Sequence, residues 1–541
     1  MAISGASRSV ETHVHVPSNR DPHVVQHVYR GRNARACAFP TARAGGGFAF
    51  TCHTLGEAIL FGPKRLFVPR AARLCTGLAG AVLLNDKAEV QMAHFETAGL
   101  EDFAAEMVTQ GIDVIRVGYS DLIGTDRGRD VLVNRFARTV GDGVAFCRSV
   151  YATTPMGDVV EIEGGLEAGL PDVLAFPDVS TVQIVPWEPG VAHVIADVYN
   201  PDGSVSEESP RMVLKRVISQ FAELGMQPIV GPELEFYVLE RTDKNPTGWQ
   251  RYGEATGNVY VAGLKGDPEN VLLRTLRHLS AFGLEVVAAN HEFSSGQFEI
   301  NLWHSQALDA ADRAFRFKTA IQELARQEDK LATFMAKPFN DEGGSGFHIH
   351  FSTWDDTGQP LFDDPKAKDG LSKTGKSAIA GVLAHAPALA AISNPTINSY
   401  KRFGPDTLAP WLIDWGFDNR SAMVRIPPER GKASRMELRL GDASANPYLA
   451  IAGLLAAAYL GIRDEMQPPA PLEGYGYDPS KADKLPGDLA SALDALEADA
   501  DLAGILGKQF VETFLTYKRN ELERFNHWVT DWEFREYAYH L

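Results

Sequence analysis

Two glutamates one residue apart, Glu233 and Glu235, stand in the run Gly-Pro-Glu-Leu-Glu-Phe-Tyr-Val-Leu-Glu at 231–240. The apolar residues around them read as a β-strand, whose two-residue period sends both carboxylates out of one face. Like charges side by side destabilise a strand unless a cation lies over them. A hard divalent ion is the matching neutraliser, because Mg²⁺ and Mn²⁺ take oxygen ligands. Alone, a Glu-x-Glu is more often a solvated strand face, but three later stretches change the balance. Asn290–Ile300 carries His291, Glu292 and Glu299 around a glycine turn. Gly343–His350 puts His348 and His350 on one strand face behind glycines that let backbone approach a ligand. Arg435-Met436-Glu437-Leu438-Arg439 aligns an acid between two arginines. Five carboxylates and a histidine on strands of one domain are too many unpaired acids for a stable fold without cations, and several divalent ions in one site account for them.

Arginine is the second theme. Lys401-Arg402, Arg420, Arg425, Arg435 and Arg439 lie within forty residues, interrupted by Pro and Gly turns. Planar guanidinium groups bind carboxylate and phosphate bidentately, so the cluster suits an anionic substrate and a polyphosphate. Acids that hold metals beside arginines that hold phosphates describe phosphoryl transfer. One decoy is set aside. Gly370–Ser377 fits the P-loop pattern G-x-x-x-x-G-K-S, but a charged, Pro-broken stretch precedes it where that mechanism needs a buried strand.

The elements that must position these residues belong to a chain of 541 residues, longer than one core usually grows. A net charge of −18 excludes nucleic acid and an anionic membrane surface as main partners. Four cysteines, Cys37, Cys52, Cys75 and Cys147, fit neither a zinc ribbon nor a disulfide scaffold, so a cytoplasmic location is expected. The longest apolar stretch, Tyr448–Ile462, is too short to span a bilayer and reads as a buried helix. Residues 1–91 hold eleven Lys or Arg against five Asp or Glu with weak periodicity. They are read as a tail, or as an artefact of the assumed start of translation, with a small element at Leu74–Leu84.

Further along, helical spacing covers Leu100–Gln110, Pro210–Leu224, Pro268–Phe282, Ala307–Ala332 and Lys376–Ala391, with a charged helical end from Leu489. Strand-like runs include Ile112–Tyr119, Val182–Val185, Ala192–Val198 and Val286–Ile300. Helices and strands mix without βαβ regularity, which predicts an α+β fold.

Six motifs in this order resemble the glutamine synthetase family in its long bacterial form, from about residue 100 to the end. They are Gly-Pro-Glu233-Leu-Glu235-Phe, His291-Glu292…Gly296-Gln297-Phe298-Glu299, Lys337-Pro338…Gly344-Ser345-Gly346-Phe347-His348-Ile349-His350, Asn394-Pro395…Lys401-Arg402, Asn419-Arg420-Ser421…Arg425-Ile426-Pro427 and Glu437-Leu438-Arg439…Asn446-Pro447-Tyr448. The resemblance implies a small N-terminal β-grasp domain (96–205) after a basic extension (1–95), then a catalytic domain (206–541) with an antiparallel half-barrel sheet. It implies a homo-oligomer, a dodecamer of two hexameric rings, in which Asp121 serves the adjacent protomer. By the same resemblance Glu235, Glu292 and Glu299 bind one metal, and Glu233, His348 and Glu437 bind another. The ions would be Mg²⁺ or Mn²⁺, two or three per site. Arg402 and Arg439, with the backbone of Gly344, would hold L-glutamate. Arg420 and Arg425 would meet the ATP phosphates, with Ser352, Lys432 and Arg435 near the nucleotide. ATP would phosphorylate the γ-carboxylate of glutamate and an amine would then displace phosphate.

Two positions depart from the family. The flap after Lys401-Arg402 reads Phe403-Gly404-Pro405-Asp406-Thr407-Leu408-Ala409-Pro410, with Leu408 where ammonia-using enzymes carry a glutamate. Gly343 replaces an asparagine. Leucine can neither accept a proton nor hold ammonium, so the expected nucleophile is a larger amine such as ethanolamine, a polyamine or another monoamine. Trp411 and Trp415 could line its pocket, though core packing is the commoner role. The rivals are a true glutamine synthetase with an acid such as Asp406 in the glutamate's place, and an inactive relative that keeps only the ring assembly.

Overall fold

The computed structural model describes residues 97–253, 257 and 259–541; the expected basic extension and its Leu74–Leu84 element lie outside the described residues. After a helix at Thr97–Thr109, five strands form the first sheet: β1 Val114–Ser120, β2 Asp126–Leu132, β3 Val144–Cys147, β4 Asp172–Ile184 and β5 Val191–Tyr199. Their order is β2-β1-β5-β4-β3, with β1 and β5 parallel and the other pairs antiparallel. Ile115 and Val117 of β1 and Ala192, Val194 and Ala196 of β5 are fully buried, which fixes one face against the core. Strand β2 carries no apolar pattern because it is an edge. Only Val131 of its seven residues is buried; backbone pairing with β1 and ion pairs of Asp126, Arg127 and Asp130 with His193, Asp121 and Arg116 hold the rest.

The second sheet carries the site. Its strands are β6 Met226–Arg241, β7 Trp249–Arg251, β8 Val286–His291, β9 Gln297–Leu302, β10 Ser305–Gln306, β11 Leu331–Thr333, β12 Phe347–Asp355, β13 Trp415–Phe417, β14 Val424–Ile426 and β15 Met436–Leu438. They run β13-β14-β15-β12-β6-β9-β8, and β7, β10 and β11 also pair with β6. Every pairing is antiparallel except β13 with β14, and the sheet curls into a half-barrel of the glutamine synthetase type. The α+β expectation holds.

Alternation along β6 explains the division of labour. Val230, Leu234, Phe236 and Val238 are buried on one face, where the Phe236 ring meets Phe298, Phe317 and Phe334 at 5.7–6.2 Å. Phe317 lies on the helix Ala307–Gln327, so that helix backs the sheet. Each such side chain withdrawn from water contributes about 1.5–3 kcal/mol, enough to fix the register. Glu233 and Glu235 must then leave the opposite face.

Three predicted elements end differently. The helix expected over Ala307–Ala332 stops at Gln327, because Asp329 takes a left-handed conformation (φ 54°) and the chain turns into β11. The helix expected over Lys376–Ala391 is two, Lys373–Ala384 and Ala386–Ser393, broken at His385 before Pro387. The strand expected over Val286–Ile300 is the hairpin β8–β9 turning at Gly296 (φ 71°). Before the helix that begins at Lys373 the chain makes turns and a single bridge, and Ser372 caps the helix, so no strand feeds the P-loop-like stretch. The Ala/Leu helix is Pro447–Arg463, buried from Pro447 to Gly461. Among the described residues no single helix is long and apolar enough to cross a membrane.

Two polar links tie the first sheet to helices of the catalytic half. Asn446 caps the Pro447–Arg463 helix by accepting from Tyr448 N–H at 3.0 Å, while its amide donates to Ser120 Oγ (3.0 Å) and to the Asp121 carbonyl (2.8 Å). Arg211, buried at the start of the helix Pro210–Glu223, reaches Asp178 at 3.0 Å, Asp312 at 2.9 Å and Asp197. Removing it leaves the buried Asp312 without an ion-pair partner among the described residues, while Asp197 keeps Lys215 at 2.5 Å. Arg211→Ala should therefore lower stability by about 3–5 kcal/mol in denaturant unfolding, whereas Lys373→Ala, which breaks an exposed pair with Glu465, should cost less than about 1 kcal/mol. Equal effects would refute the assignment.

Candidate active site

The register of the half-barrel brings the acids together. In the β6–β9 pair Glu235 lies opposite Glu299, and in the β6–β12 pair Glu233 lies opposite His348. His350 is opposite Glu437 of β15, which is opposite Arg425 of β14. Alternation places all of them on the face away from Phe298, Ile349, Met436 and Leu438, which are buried. Glu292, just beyond β8, joins through the hairpin, and the charge of Glu235 bears on it.

Two groups of ligand atoms lie within 4.8 Å of one another: Glu233 with Glu299 and His348, and Glu233 with His350 and Glu437. His348 Nδ1 stands 3.9 Å from Glu233 and 3.8 Å from Glu437; His350 Nε2 stands 3.1 Å from Glu233. His350, two residues along the strand from His348 and on the same face, thus joins the expected ligands as a further candidate. The first group joins Glu299, of one expected ligand set, to Glu233 and His348 of the other. Glycine makes the approach feasible. A Cβ at Gly346 would fall 2.7 Å from His348 Nε2 and 2.9 Å from Glu235 Oε1.

The charges are unevenly compensated. Burial, then the charges of Glu233, Glu235 and Glu292, pushes Glu299 up to about 8. Burial and Glu235 push Glu292 up to about 7. Burial would raise Glu437 too, but Arg439, His348 and His350 bring it down to about 2, and Arg439 and Arg425 both reach it at 2.6 Å. Against burial, His348 and His350 likewise hold Glu233 well below the usual carboxylate range. Burial and Arg439 lower His348, which keeps the imidazole neutral, as a metal ligand must be. Oxygen-rich donors, a neutral imidazole and two carboxyls that resist ionising without a counter-charge fit hard divalent cations.

Arg402 is buried, and its guanidinium has no carboxylate partner among the described residues; it donates to the Leu440 carbonyl at 3.1 Å. Its side chain lies across Gly344, where a Cβ would come within 2.7 Å of Arg402 Cγ. Arg439 donates to the Arg420 carbonyl, while the Arg420 side chain is exposed with its charge bearing on Glu292. Arg435 reaches His350 Nδ1 at 3.1 Å and Glu429 at 3.2 Å. Ser352, on the same β12 face, accepts from Trp354 Nε1, and Lys432 is exposed. Gln297, not singled out from sequence, donates to Glu235 and to the Gly344 carbonyl, both at 3.0 Å. Asp121 stands apart in the first sheet's loop, wholly buried, holding Arg127 at 2.8 Å and the N–H groups of Ile123 and Thr125.

The flap borders this cluster. Asp406 and Leu408 both adopt left-handed backbone (φ 62° and 59°). Asp406 accepts from Tyr475 Oη at 3.0 Å, and the Leu408 N–H faces the hydroxyl of Tyr477, which feels the charges of Arg402 and Arg439. The Leu408 side chain is 48% exposed. Of the two tryptophans considered beside it, Trp415 is buried in the core and donates to the Pro469 carbonyl at 2.8 Å.

Residues 207–537 match a family model described as glutamine synthetase, catalytic domain. The chain belongs to the glutamine synthetase family. The glutamine synthetase of Methanocaldococcus jannaschii is 39% identical over 407 residues, covering 73% of this chain and 89% of the relative. That of Halobacterium salinarum is 34% identical, covering 84% and 98%. Among solved structures, one described as apo GmaS without ligand superposes with a TM-score of 0.71 at 32% identity, covering 81% of this chain and 99% of the other. One described as a novel glutamine synthase homolog gives 0.68 at 27%, covering 79% and 98%. The chain is a glutamine synthetase-type ligase, of a family that uses ATP, divalent metals, glutamate, and an amine or ammonia.

The crowding has a measurable pH signature. Glu299 and Glu292 have folded values above the ordinary 4.5, so between about pH 4.5 and 8 these two carboxyls hold more protons in the ion-free folded chain than in the unfolded chain. Their contribution to stability therefore falls as pH rises through that window. The depressed His291, His304 and His348 act in the opposite sense only below their ordinary 6.5. In EDTA, Glu299→Gln should melt above the parent, the gap widening from pH 6.5 to 8, and Mg²⁺ should raise the parent's Tm more at pH 8. A variant that melts lower than the parent in EDTA at pH 8 would contradict the charge-crowding account.

Proposed function

We propose that this enzyme joins the γ-carboxylate of L-glutamate to an organic amine at the expense of ATP, through a γ-glutamyl phosphate. The observation that carries the reading is Leu408 in a flap beside a complete face of acids and arginines. In the proposed assignment Glu235, Glu292 and Glu299 hold one divalent ion, and Glu233, His348 and Glu437 the other, with His350 beside the second. Bound there, Mg²⁺ or Mn²⁺, two or three per site, supplies the positive charge that lets a carboxylate and a triphosphate approach. Arg402, Arg439 and the Gly344 backbone hold glutamate; the buried guanidinium of Arg402, lacking a carboxylate of its own, supports that role. Arg420 and Arg425 meet the ATP phosphates, and Ser352, Lys432 and Arg435 flank the nucleotide.

The γ-carboxylate oxygen attacks the terminal phosphorus and ADP leaves. The amine nitrogen then forms the amide bond at the acyl carbon as inorganic phosphate departs and the nitrogen loses a proton. Orientation and charge neutralisation carry most of the rate. Where a glutamate would hold ammonium, Leu408 offers an apolar wall suited to the carbon chain of an amine. The structural relatives described as GmaS, a γ-glutamylmethylamide synthetase, support an amine-using branch. The family resemblance further supports a cytoplasmic dodecamer of two hexameric rings, a β-grasp domain at 96–205, a catalytic domain at 206–541, and Asp121 facing a neighbour's amine site. The second reading is an ammonia-using glutamine synthetase with Asp406 in the glutamate's place, favoured by the names of the archaeal relatives.

Phosphate release with glutamate, ATP and a panel of ammonium, methylamine, ethanolamine and a polyamine separates the readings. At least one organic amine should exceed ammonium in kcat/KM by about tenfold, a difference of about 1.4 kcal/mol. Leu408→Glu should move that ratio toward ammonium by a similar factor. Ammonium turning over as well as every organic amine would remove the preference for a larger nucleophile. Glu437→Ala should abolish turnover with the oligomer intact, and an inactive parent would instead favour a scaffold role.

A further inference from the structure

Gln297 opens β9 opposite Tyr237 of β6, and it is buried beside the acid cluster. Its amide Nε2 donates to Glu235 Oε2 and to the Gly344 carbonyl, both at 3.0 Å. Both partners are pure acceptors, so only the nitrogen can face them and the amide has a single workable orientation. Glu235 Oε2 also accepts from the Gly346 N–H at 2.9 Å. One carboxylate oxygen thus holds the Gly344–Gly346 stretch at both ends, directly at Gly346 and through Gln297 at Gly344. Gly343 is clasped as well. Its carbonyl accepts from Tyr237 Oη at 2.7 Å, and its N–H donates to Ser294 Oγ at 2.8 Å. A Cβ at Gly343 would lie 3.2 Å from Gln297 Oε1 and 3.3 Å from Ser294 Oγ, tighter than ordinary contact. Glycine at this position, one of the two departures from the family, therefore leaves the space that the Gln297 amide occupies.

We propose that Gln297 is a positioning residue that couples the divalent-ion ligand Glu235 to the backbone that holds glutamate. The inference rests on the proposed placement of glutamate against Gly344 and Arg402, and it does not depend on which amine the enzyme uses. Because one amide bonds both partners, a shift of the Glu235 carboxylate is passed to the Gly344 peptide. A ligand that fixes that peptide fixes Glu235 in return. Ion affinity and glutamate affinity are then linked, by the same factor in each direction.

Calorimetric titration of Mn²⁺ into the full-length protein, with and without L-glutamate and in the absence of nucleotide, reads this link without turnover. Saturating L-glutamate should tighten Mn²⁺ binding by about tenfold in the parent. Gln297→Met keeps the length of the side chain and removes its donors, and should bring that factor below about twofold. Gly343→Ala keeps every donor but presses on the amide, and should lower the factor part-way, so the inference stays testable should the methionine variant lose its fold. In turnover, Gln297→Met should raise KM for glutamate by about tenfold while KM for ATP stays within about twofold, a split that a general loss of structure would not produce. Arg402→Ala tests the underlying placement separately: glutamate binding retained there would refute that placement, whichever way the linkage falls. A parent without linkage, or a linkage that survives both the Gln297 and the Gly343 substitution, would overturn the role given to Gln297.

Discussion

Carboxylates crowded on one face of a strand cannot all stay ionised without positive charge beside them, and the catalytic half of this protein is arranged around that constraint. The backbone of β6 makes Glu233 and Glu235 neighbours, and the antiparallel register of β9 adds Glu299. Protein cations answer only part of the charge. Arg425 and Arg439 neutralise Glu437, and the two β12 histidines favour ionised Glu233, whereas burial and crowding push Glu292 and Glu299 up to about 7 and about 8. The compensated half of the site is held rigidly by ion pairs, and the uncompensated half is where an added cation gains most.

The opposite face of the same sheet makes this arrangement affordable. Phe236, Phe298, Phe317 and Phe334 fix the register, and slipping β6 by one residue would bury the acids and expose the rings. The glycines of β12's entry do the complementary work on the site side. Gly344 leaves room for Arg402 to lie flat, and Gly346 leaves room for the imidazole and carboxylate to converge. Apolar packing thus sets the position of each acid, and the absence of side chains sets how close the acids come.

Most of the site was legible because its residues obey the two-residue period of strands: Glu233 and Glu235, His348 and His350, Arg435, Glu437 and Arg439 each predict their own face. The helices Pro210–Glu223 and Pro447–Arg463 were legible for the matching reason, a sustained apolar period. What could not be read locally came from pairing. Strand β2 is polar and is held by its backbone ladder and by ion pairs to residues distant in the fold, and the break at His385 depends on one proline in an otherwise apolar helical run. Gln297 gains its contact with Glu235 only once β9 lies beside β6, so no spacing in the sequence announces it.

Asn446 illustrates how closely the two sheets are geared. One face of its amide starts the Pro447–Arg463 helix, and the other grips the turn that carries Asp121. An aspartate there would match it in shape, still begin the helix, and yet confront the Asp121 carbonyl with a second acceptor. The turn and the helix therefore cannot drift independently, and any rocking of that helix carries Asp121 with it.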